Sequence, residues 1–212
     1  MGGNNMDAIN ETLGRYYTKC FAEHGASARG VDWHNAESLL LHYDKMLAVI
    51  PADEAGRRVS LLDIGCGYGG LLDRAKERGL DIDYAGIDLV GDMTAHGRRK
   101  HPDAQFVSGD VFTFAPGRDF DYVVADGVLT EKLDVSIGEF ARFARRMIRR
   151  MFELASRGIA FNMMTTYVNF TAPNLYYQNP GEIISFCSAE LSTKWILDHG
   201  YDYYDFTMYV YR

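Results

Sequence analysis

The first quarter of the chain has helical spacing of apolar residues, and the following stretch alternates short apolar runs with amphipathic segments. Apolar side chains recur every three or four positions near Leu39, Tyr43 and Met46, which predicts helices over residues 7–50. From residue 59 to 126, runs of strand length alternate with helical stretches. This alternation predicts βαβ units with a parallel sheet, whose strands end at one common edge. Ligands bind at that edge in open α/β sheets.

The same pattern gives the bounds of each element. The predicted strands are 59–64, 84–88, 105–108, 121–125, 158–164, 193–197 and 206–211, and the predicted later helices are 71–78, 92–100, 137–155 and 182–189. The last two strands are joined by a short segment, which predicts an antiparallel hairpin because a parallel pair needs a longer crossover. Pro51 and the polar residues after it separate a predicted helical cap, 1–57, from a predicted α/β domain, 58–212.

Composition and charge narrow the classes of function. The 212 residues carry 29 acidic and 22 basic side chains, a net charge of -7, which argues against a nucleic-acid partner because phosphate contacts need clustered Lys and Arg. Cys20, Cys66 and Cys187 are far apart, so neither a disulfide framework nor a zinc site is expected. No signal peptide is recognisable and no apolar run approaches the roughly 18 residues of a membrane span. We expect a cytoplasmic protein with no membrane partner.

A glycine-rich loop follows the first predicted strand. Residues 61–70 read LLDIGCGYGG, and Gly65, Gly67 and Gly70 match the dinucleotide pattern G-x-G-x-x-G. A tight turn without a ligand is the alternative explanation. Asp63 lies two residues before the first glycine, where a carboxylate would repel a pyrophosphate and attract an ammonium group. With Gly69, the pattern becomes D-x-G-x-G-x-G, which favours a cationic nucleoside cofactor.

Two further acidic residues follow the next two predicted strands. Asp88 ends the second strand and is placed to accept hydrogen bonds from ribose hydroxyls. Asp110 follows the third strand in VSGDVF, where its carboxylate could accept a hydrogen bond from the exocyclic amine of adenine. No group of Asp, Glu or His has metal-ligand spacing, so no metal is expected.

In their order along the chain, these motifs resemble those of the class I S-adenosylmethionine-dependent methyltransferases. The segments LLDIGCGYGG, YAGIDLV, FVSGDVF and FDYVVADGVL resemble the family's successive motifs, and YDFTMYVYR resembles its last strand. The resemblance implies a Rossmann-like seven-stranded, mostly parallel sheet with an antiparallel last strand and helices on both faces. It also implies S-adenosylmethionine as cofactor and S-adenosylhomocysteine as product. Asp63 and the glycine loop would then hold the methionine end, Asp88 the ribose and Asp110 the adenine.

The expected cofactor contacts extend along the same edge and into the helical cap. The full set is Tyr17, Trp33, Asp63, Gly65, Cys66, Gly67, Gly69, Asp88, Leu89, Met93, Gly109, Asp110, Val111, Asp126 and Gly127. Leu89 and Val111 are as well explained by burial in the apolar core as by contact with the cofactor. Trp33 could instead serve to pack the helical cap against the rest of the protein. Asp126 and Gly127 fit either the reaction centre or a turn that ends a strand. His34 and Asp126 are the candidates for a catalytic group.

The expected reaction is transfer of a methyl group to an oxygen or nitrogen atom of a small molecule by direct displacement. The fold uses most of the chain, which leaves the cap and the loop 169–180 to recognise an acceptor. The alternatives are methylation of a protein or RNA, a non-catalytic cofactor-binding scaffold and a nicotinamide-dependent oxidoreductase. The pattern leaves the acceptor and the oligomeric state open.

Overall fold

A computed structural model describes residues 3–54 and 56–212, with side chains from residue 7 onward. Met1, Gly2 and Ala55, which fall within the predicted cap, lie outside the described residues. The elements in chain order are α1 Gly3–His24, α2 Ala36–Leu47, β1 Val59–Ile64, α3 Gly70–Glu77, β2 Ile82–Asp88, α4 Gly91–Lys100, β3 Gln105–Ser108, β4 Phe120–Ala125, α5 Ile137–Leu154, β5 Ala155–Thr165, β6 Tyr177–Gln178, α6 Pro180–Glu190, β7 Lys194–Asp198 and β8 Asp205–Tyr211.

The strands form one sheet in the order β3-β2-β1-β4-β5-β8-β7, and β6 pairs with β5 beside this path. Strands β1 to β5 are parallel to their neighbours in that order. Strand β8 lies antiparallel between β5 and β7. The carboxyl ends of β1, β2, β3 and β4 therefore meet at one edge, as the sequence predicts.

Alternate residues along the strands supply two apolar cores, one on each face of the sheet. In β1, Leu62 packs into the core that contains Phe140 and Phe143 of α5. Its neighbour Leu61 packs into the opposite core, which contains Met46 of α2 and Leu71 of α3. Successive side chains of a strand point to opposite faces, so a sheet covered on both sides needs a nearly continuous apolar run. This requirement accounts for the buried run of β1.

The fold class is confirmed, and the strand count needs a correction. The sheet has eight strands rather than the predicted seven, because the two-residue strand β6 pairs with Met164 and Thr165. Strand β5 runs past the last residue that pairs with β4, Phe161, and this overhang leaves an unpaired edge that β6 occupies. Two residues carry no periodicity that a sequence pattern could reveal. The predicted hairpin of β7 and β8 is confirmed.

The helices of the predicted cap pack on both faces of the sheet. Helix α1 contributes Ile9 and Leu13 to the core that includes α5, whereas α2 contributes Leu39 and Met46 to the other. The division of the chain at residue 57 remains a prediction. Within the described residues, no helix combines the length and the apolar character that crossing a bilayer requires.

The ring of Phe106 fills the space between α4 and the loop that precedes α3. Phe106 is 5% exposed. A Cβ atom on Gly97 of α4 would lie 2.5 Å from its Cε1, and a Cβ atom on Gly69 would lie 2.8 Å from its Cζ. Both glycines are thus required by packing against this ring.

We predict that Gly97→Ala destabilises the protein by about 1–3 kcal/mol, because overpacking a buried ring outweighs the gain of roughly 1 kcal/mol in helix propensity. Chemical denaturation measures the difference. The matched control is Gly138→Ala in α5, where the residue is exposed and the nearest atom to an added Cβ is Arg142 Nη1 at 3.7 Å. Stability of Gly97→Ala at or above that of wild type would contradict this account.

Candidate active site

A cavity of about 500 Å³ opens at the carboxyl edge of the sheet. Its walls come from the loops after β1, β2, β3 and β4, from α1 and α2, and from residues near the start of β8. This volume lies in the range of small-molecule and cofactor sites. The cavity therefore occupies the edge at which the sequence predicts a ligand.

The glycine loop lines one side of the cavity. Gly65 has φ +73° and Gly67 has φ +53°, a left-handed backbone that glycine adopts at little cost. A Cβ atom on Gly65 would also lie 2.4 Å from Cγ2 of Val128. The loop backbone can thus approach a ligand closely, and a side chain at Gly65 has no space.

The side chain of Asp63 is buried at the base of this loop. It is 3% exposed, and its Oδ2 accepts a hydrogen bond of 2.7 Å from the Tyr84 hydroxyl. The pKa of Asp63 is raised to about 8, chiefly by burial and also by the charges of Asp126 and Asp88, while the bond from Tyr84 opposes the rise. A positive group in the cavity would favour the ionised carboxylate.

The carboxylates of Asp88 and Asp110 face the far side of the cavity. Asp88 accepts hydrogen bonds of 2.8 Å from the backbone N–H groups of Gly67 and Val90. Burial raises the pKa of Asp88, whereas these two bonds lower it. Asp110 Oδ1 accepts from the N–H of Phe112 at 2.8 Å. Each carboxylate keeps accepting capacity for a ligand, because a carboxylate has about four acceptor sites.

Asp126, the residue after β4, differs from the other acidic residues of the cavity. Both of its carboxylate oxygens are shielded from solvent and accept no hydrogen bond from the described residues. Burial raises the pKa of Asp126 to about 7, the positive charge of His42 lowers it and the negative charge of Asp205 raises it. A buried carboxylate without a donor is costly, so this side chain is prepared to accept a hydrogen bond from a ligand.

A chain of buried hydrogen bonds holds the turn after Asp126. His42 Nδ1 lies 2.7 Å from the Ser38 carbonyl oxygen, and Nε2 lies 2.7 Å from Asp205 Oδ2. Since both ring nitrogens face acceptors, the imidazole is held as a double donor. Burial lowers the pKa of His42, but the hydrogen bond and charge of Asp205 raise it, and the net shift is upward.

The chain of hydrogen bonds continues from Asp205 to the backbone beside Asp126. Asn162 Nδ2 donates to Asp205 Oδ2 at 3.2 Å, and Asn162 Oδ1 accepts from the Gly127 N–H at 2.8 Å. These bonds connect α2, β8, β5 and the turn after β4. They fix the backbone that carries Asp126.

Residues of the helical cap and of the loop after β4 close the cavity. Tyr17 and Trp33 line it, and the Trp33 ring packs on His42 with centroids 4.3 Å apart. Glu131 is 4% exposed, and both its carboxylate oxygens accept from Asn174 Nδ2, at 3.1 and 3.0 Å. Asp32 accepts from the Tyr16 hydroxyl at 2.8 Å.

The structure brings most of the predicted cofactor residues to one cavity. Those that line it are Tyr17, Trp33, Asp63, Gly65, Cys66, Gly67, Asp88, Leu89, Met93, Gly109, Asp110, Val111, Asp126 and Gly127. Gly69 lies outside the lining and faces Phe106, so its expected contact with the cofactor stays a prediction. His34 is exposed and outside the lining, which leaves Asp126 as the predicted catalytic candidate at the cavity.

Sequence reasoning missed several polar residues of the cavity wall, and four of them are buried. They are His42, Glu131, Asn162 and Asp205. Asn162 left a usable signal, because an amide inside the apolar strand GIAFNMM must have a hydrogen-bond partner. The pairing of His42 with Asp205 spans 163 positions and has no local signature. Within residues 3–54 and 56–212, no cluster of three or more His, Cys, Asp or Glu side chains could hold a metal ion.

Comparisons with known proteins agree with this geometry. The methyltransferase domain family matches residues 61–151. A Mycobacterium tuberculosis protein named as a methyltransferase is 30% identical over 156 residues, which span 71% of this chain and 92% of that protein. A dTDP-3-amino-3,4,6-trideoxy-alpha-D-glucopyranose N,N-dimethyltransferase of Streptomyces venezuelae is 42% identical over 89 residues, 39% of this chain and 36% of that enzyme.

A solved structure extends the similarity of fold to nearly the whole chain. Magnesium protoporphyrin IX methyltransferase from Synechocystis PCC 6803, with S-adenosylmethionine bound, superposes with a TM-score of 0.69 at 15% identity, covering 96% of this chain and 97% of that one. The chain belongs to the class I S-adenosylmethionine-dependent methyltransferases.

We predict that Asp126→Asn gains stability relative to wild type as the pH rises. The folded-state pKa of Asp126 is raised from 3.8 to about 7, so its contribution to stability is present below pH 3.8 and is lost as pH rises through about 7. Asn does not titrate and avoids this loss. The difference in free energy of unfolding between Asp126→Asn and wild type should change by at most about 1.4 kcal/mol per pH unit.

Denaturant unfolding of the ligand-free proteins between pH 5 and 8.5 measures this difference. His42, Asp205 and Asp63 are the charged groups that act on Asp126 and are present in both proteins. The matched control is Asp119→Asn, which removes one carboxylate from the exposed surface. Parallel stability curves for wild type and Asp126→Asn would show that Asp126 is not the buried titrating group.

Proposed function

We propose that this protein transfers a methyl group from S-adenosylmethionine to an oxygen or nitrogen atom of a small-molecule acceptor. One observation carries the proposal. A single cavity contains the glycine loop and Asp63, Asp88 and Asp110, and it continues past Asp126 to residues near the start of β8. The first part fits an adenosyl cofactor, and the continuation provides space for an acceptor.

The residues at the cavity fit the cofactor by their chemistry. Asp88 and Asp110 retain acceptor sites for ribose hydroxyls and for the adenine amine, beside the apolar side chains of Met93 and Val111. Gly65 and Gly67 allow close approach of the backbone, and Asp63 supplies negative charge for the methionine end. When bound, S-adenosylmethionine supplies a methyl group that its sulfonium has already activated.

The chain's own residues would contribute position and exclusion of water. The bonds from Asn162 to Gly127 and to Asp205 fix the turn that faces the predicted reaction centre. Tyr17 and Trp33 cover the cavity from the helical side. For an activated methyl donor, alignment and a dry site are the main requirements. An acceptor that carries a proton also needs a base, for which Asp126 is the candidate at the site.

Two considerations favour a small acceptor over a protein or RNA. The cavity is bounded by aromatic side chains from several elements, including Trp33, Tyr203 and Tyr204, which suits a compact molecule. The relatives named above act on an amino sugar nucleotide and on a magnesium porphyrin according to their names, and both are small molecules.

Calorimetry and label transfer test this function. We expect S-adenosylhomocysteine to bind, NAD not to bind, and label from S-adenosylmethionine to appear in the small-molecule fraction of a metabolite extract. Binding of NAD in place of S-adenosylhomocysteine would overturn the assignment. Label in RNA or protein would indicate a macromolecular acceptor, and cofactor binding without transfer to any fraction would indicate a scaffold.

We predict that Asp88→Ala weakens binding of S-adenosylhomocysteine by about 10- to 100-fold. The substitution removes a charged acceptor for the ribose and also releases the N–H of Gly67, and a hydrogen bond to a charged group contributes about 1.5–3 kcal/mol. Isothermal titration measures the affinity. The control is Asp103→Ala, an exposed position outside the cavity lining, and equal affinity of the two variants would refute the ribose assignment.

A further inference from the structure

The charged side chains that line the cavity are almost all acidic. Seven acidic residues line it: Asp32, Asp63, Asp88, Asp110, Asp126, Glu131 and Asp205. His42 is also part of the lining, and among the described lining residues none is Lys or Arg. A cavity with this balance attracts cations and repels anions.

The order of the strands separates these acidic residues into two groups. Asp63 lies near the end of β1, Asp88 ends β2 and Asp110 follows β3, on the side proposed for the cofactor. The remainder lie towards β4, β5 and β8. There Asp205 is compensated by His42 and Asn162, and Glu131 accepts from Asn174.

Asp126 lies between the two groups, and no side chain or backbone group among the described residues donates a hydrogen bond to its carboxylate. Its two oxygens are shielded from solvent. The turn that carries it is held by the bond from the Gly127 N–H to Asn162. The carboxylate is therefore buried and without a donor on a turn that is held in place, and a ligand that supplies a charged donor would offset the cost of burying it ionised.

We propose that the acceptor is a small-molecule amine that binds as an ammonium ion, and that the carboxylate of Asp126 accepts its hydrogen bond and then its proton. The inference rests on the proposed function and narrows its acceptor atom to nitrogen. A carboxylate or phosphate acceptor would meet three further carboxylates, Asp32, Glu131 and Asp205, with His42 already engaged by Asp205. An alcohol would donate a hydrogen bond to Asp126 but would bring no positive charge to it.

The chemistry balances with one proton released. An ammonium R–NH3+ gives a proton to Asp126, and its nitrogen lone pair forms the new N–C bond while the C–S bond of the cofactor breaks with its electron pair remaining on sulfur. The products are R–NH2–CH3+ and S-adenosylhomocysteine, and Asp126 returns its proton to water. Burial raises the pKa of Asp126 to about 7, which brings it nearer to the value of about 10 that an alkylammonium has.

The test measures binding of matched probes to protein saturated with S-adenosylhomocysteine. The probes form three sets, which carry a benzyl, a cyclohexyl or an n-butyl group, and each set contains an amine, an alcohol and a carboxylate. Ligand-observed NMR at pH 7.5 measures the binding of each probe. We expect the amine of at least one set to bind about tenfold or more tightly than its alcohol, with the carboxylate weakest. Equal binding of the three members in every set, or tighter binding of a carboxylate, would overturn the proposal.

Two variants assign the effect to one side chain. With S-adenosylhomocysteine kept saturating for each protein, Asp126→Asn should remove most of the preference for the amine over its alcohol. Asp119→Asn, at an exposed position outside the cavity lining, should keep the preference. An unchanged preference for the amine in Asp126→Asn would contradict the role proposed for the Asp126 carboxylate.

Binding of S-adenosylhomocysteine to wild-type protein distinguishes a failure of the proposed function from a failure of the amine assignment alone. If wild-type protein fails to bind S-adenosylhomocysteine, the proposed function fails. If it binds S-adenosylhomocysteine but shows no preference among the matched probes, only the amine assignment fails. The ranking of probes on wild-type protein needs no variant, so it stands even if Asp126→Asn does not fold.

Discussion

Burial of negative charge at one edge of the sheet is the constraint on which this structure depends. Parallel strands place their carboxyl ends together, and here those ends carry acidic residues that the covering helices shield from water. Each buried carboxylate needs donors to offset the loss of solvation. Backbone N–H groups serve Asp88, the Tyr84 hydroxyl serves Asp63, and an imidazole with an amide serves Asp205.

The donors that compensate these carboxylates also connect the layers of the fold. His42 joins α2 to the residue that begins β8, and Asn162 joins β5 to the turn after β4. The helical residues and the sheet therefore share one polar network at the cavity, in addition to the two apolar cores. Helix α2 cannot be displaced from the sheet without breaking the buried hydrogen bond between His42 and Asp205, which is costly when only one partner is left inside.

Local signals account for the parts of the fold and site that the sequence could predict. Asp63, Asp88 and Asp110 lie next to strands whose apolar runs are visible in the sequence, and all three reach the cavity. The pair of His42 and Asp205 has no local signal, because its partners meet only after the sheet has formed. Gly69 carries the same motif signal as Gly67, yet its backbone faces the ring of Phe106. A glycine pattern reports that space is limited and does not report whether a ligand or a side chain limits it.

Some residues of the cavity lie inside the region that matches the methyltransferase domain family, and others lie outside it. The region matched by the methyltransferase domain family, 61–151, contains the acidic residues proposed for the cofactor and also Asp126. Part of the remaining cavity comes from outside that region, from Trp33, His42, Asn162 and Asp205, whereas Glu131 lies inside it. Relatives that share the matched region can therefore share a cofactor while their acceptors differ. For this chain, the flanking segments add Asp32, His42 and Asp205 to the charges of the cavity, beside Asp126 and Glu131 from the matched region. The proposed acceptor would therefore meet charges from both parts of the chain.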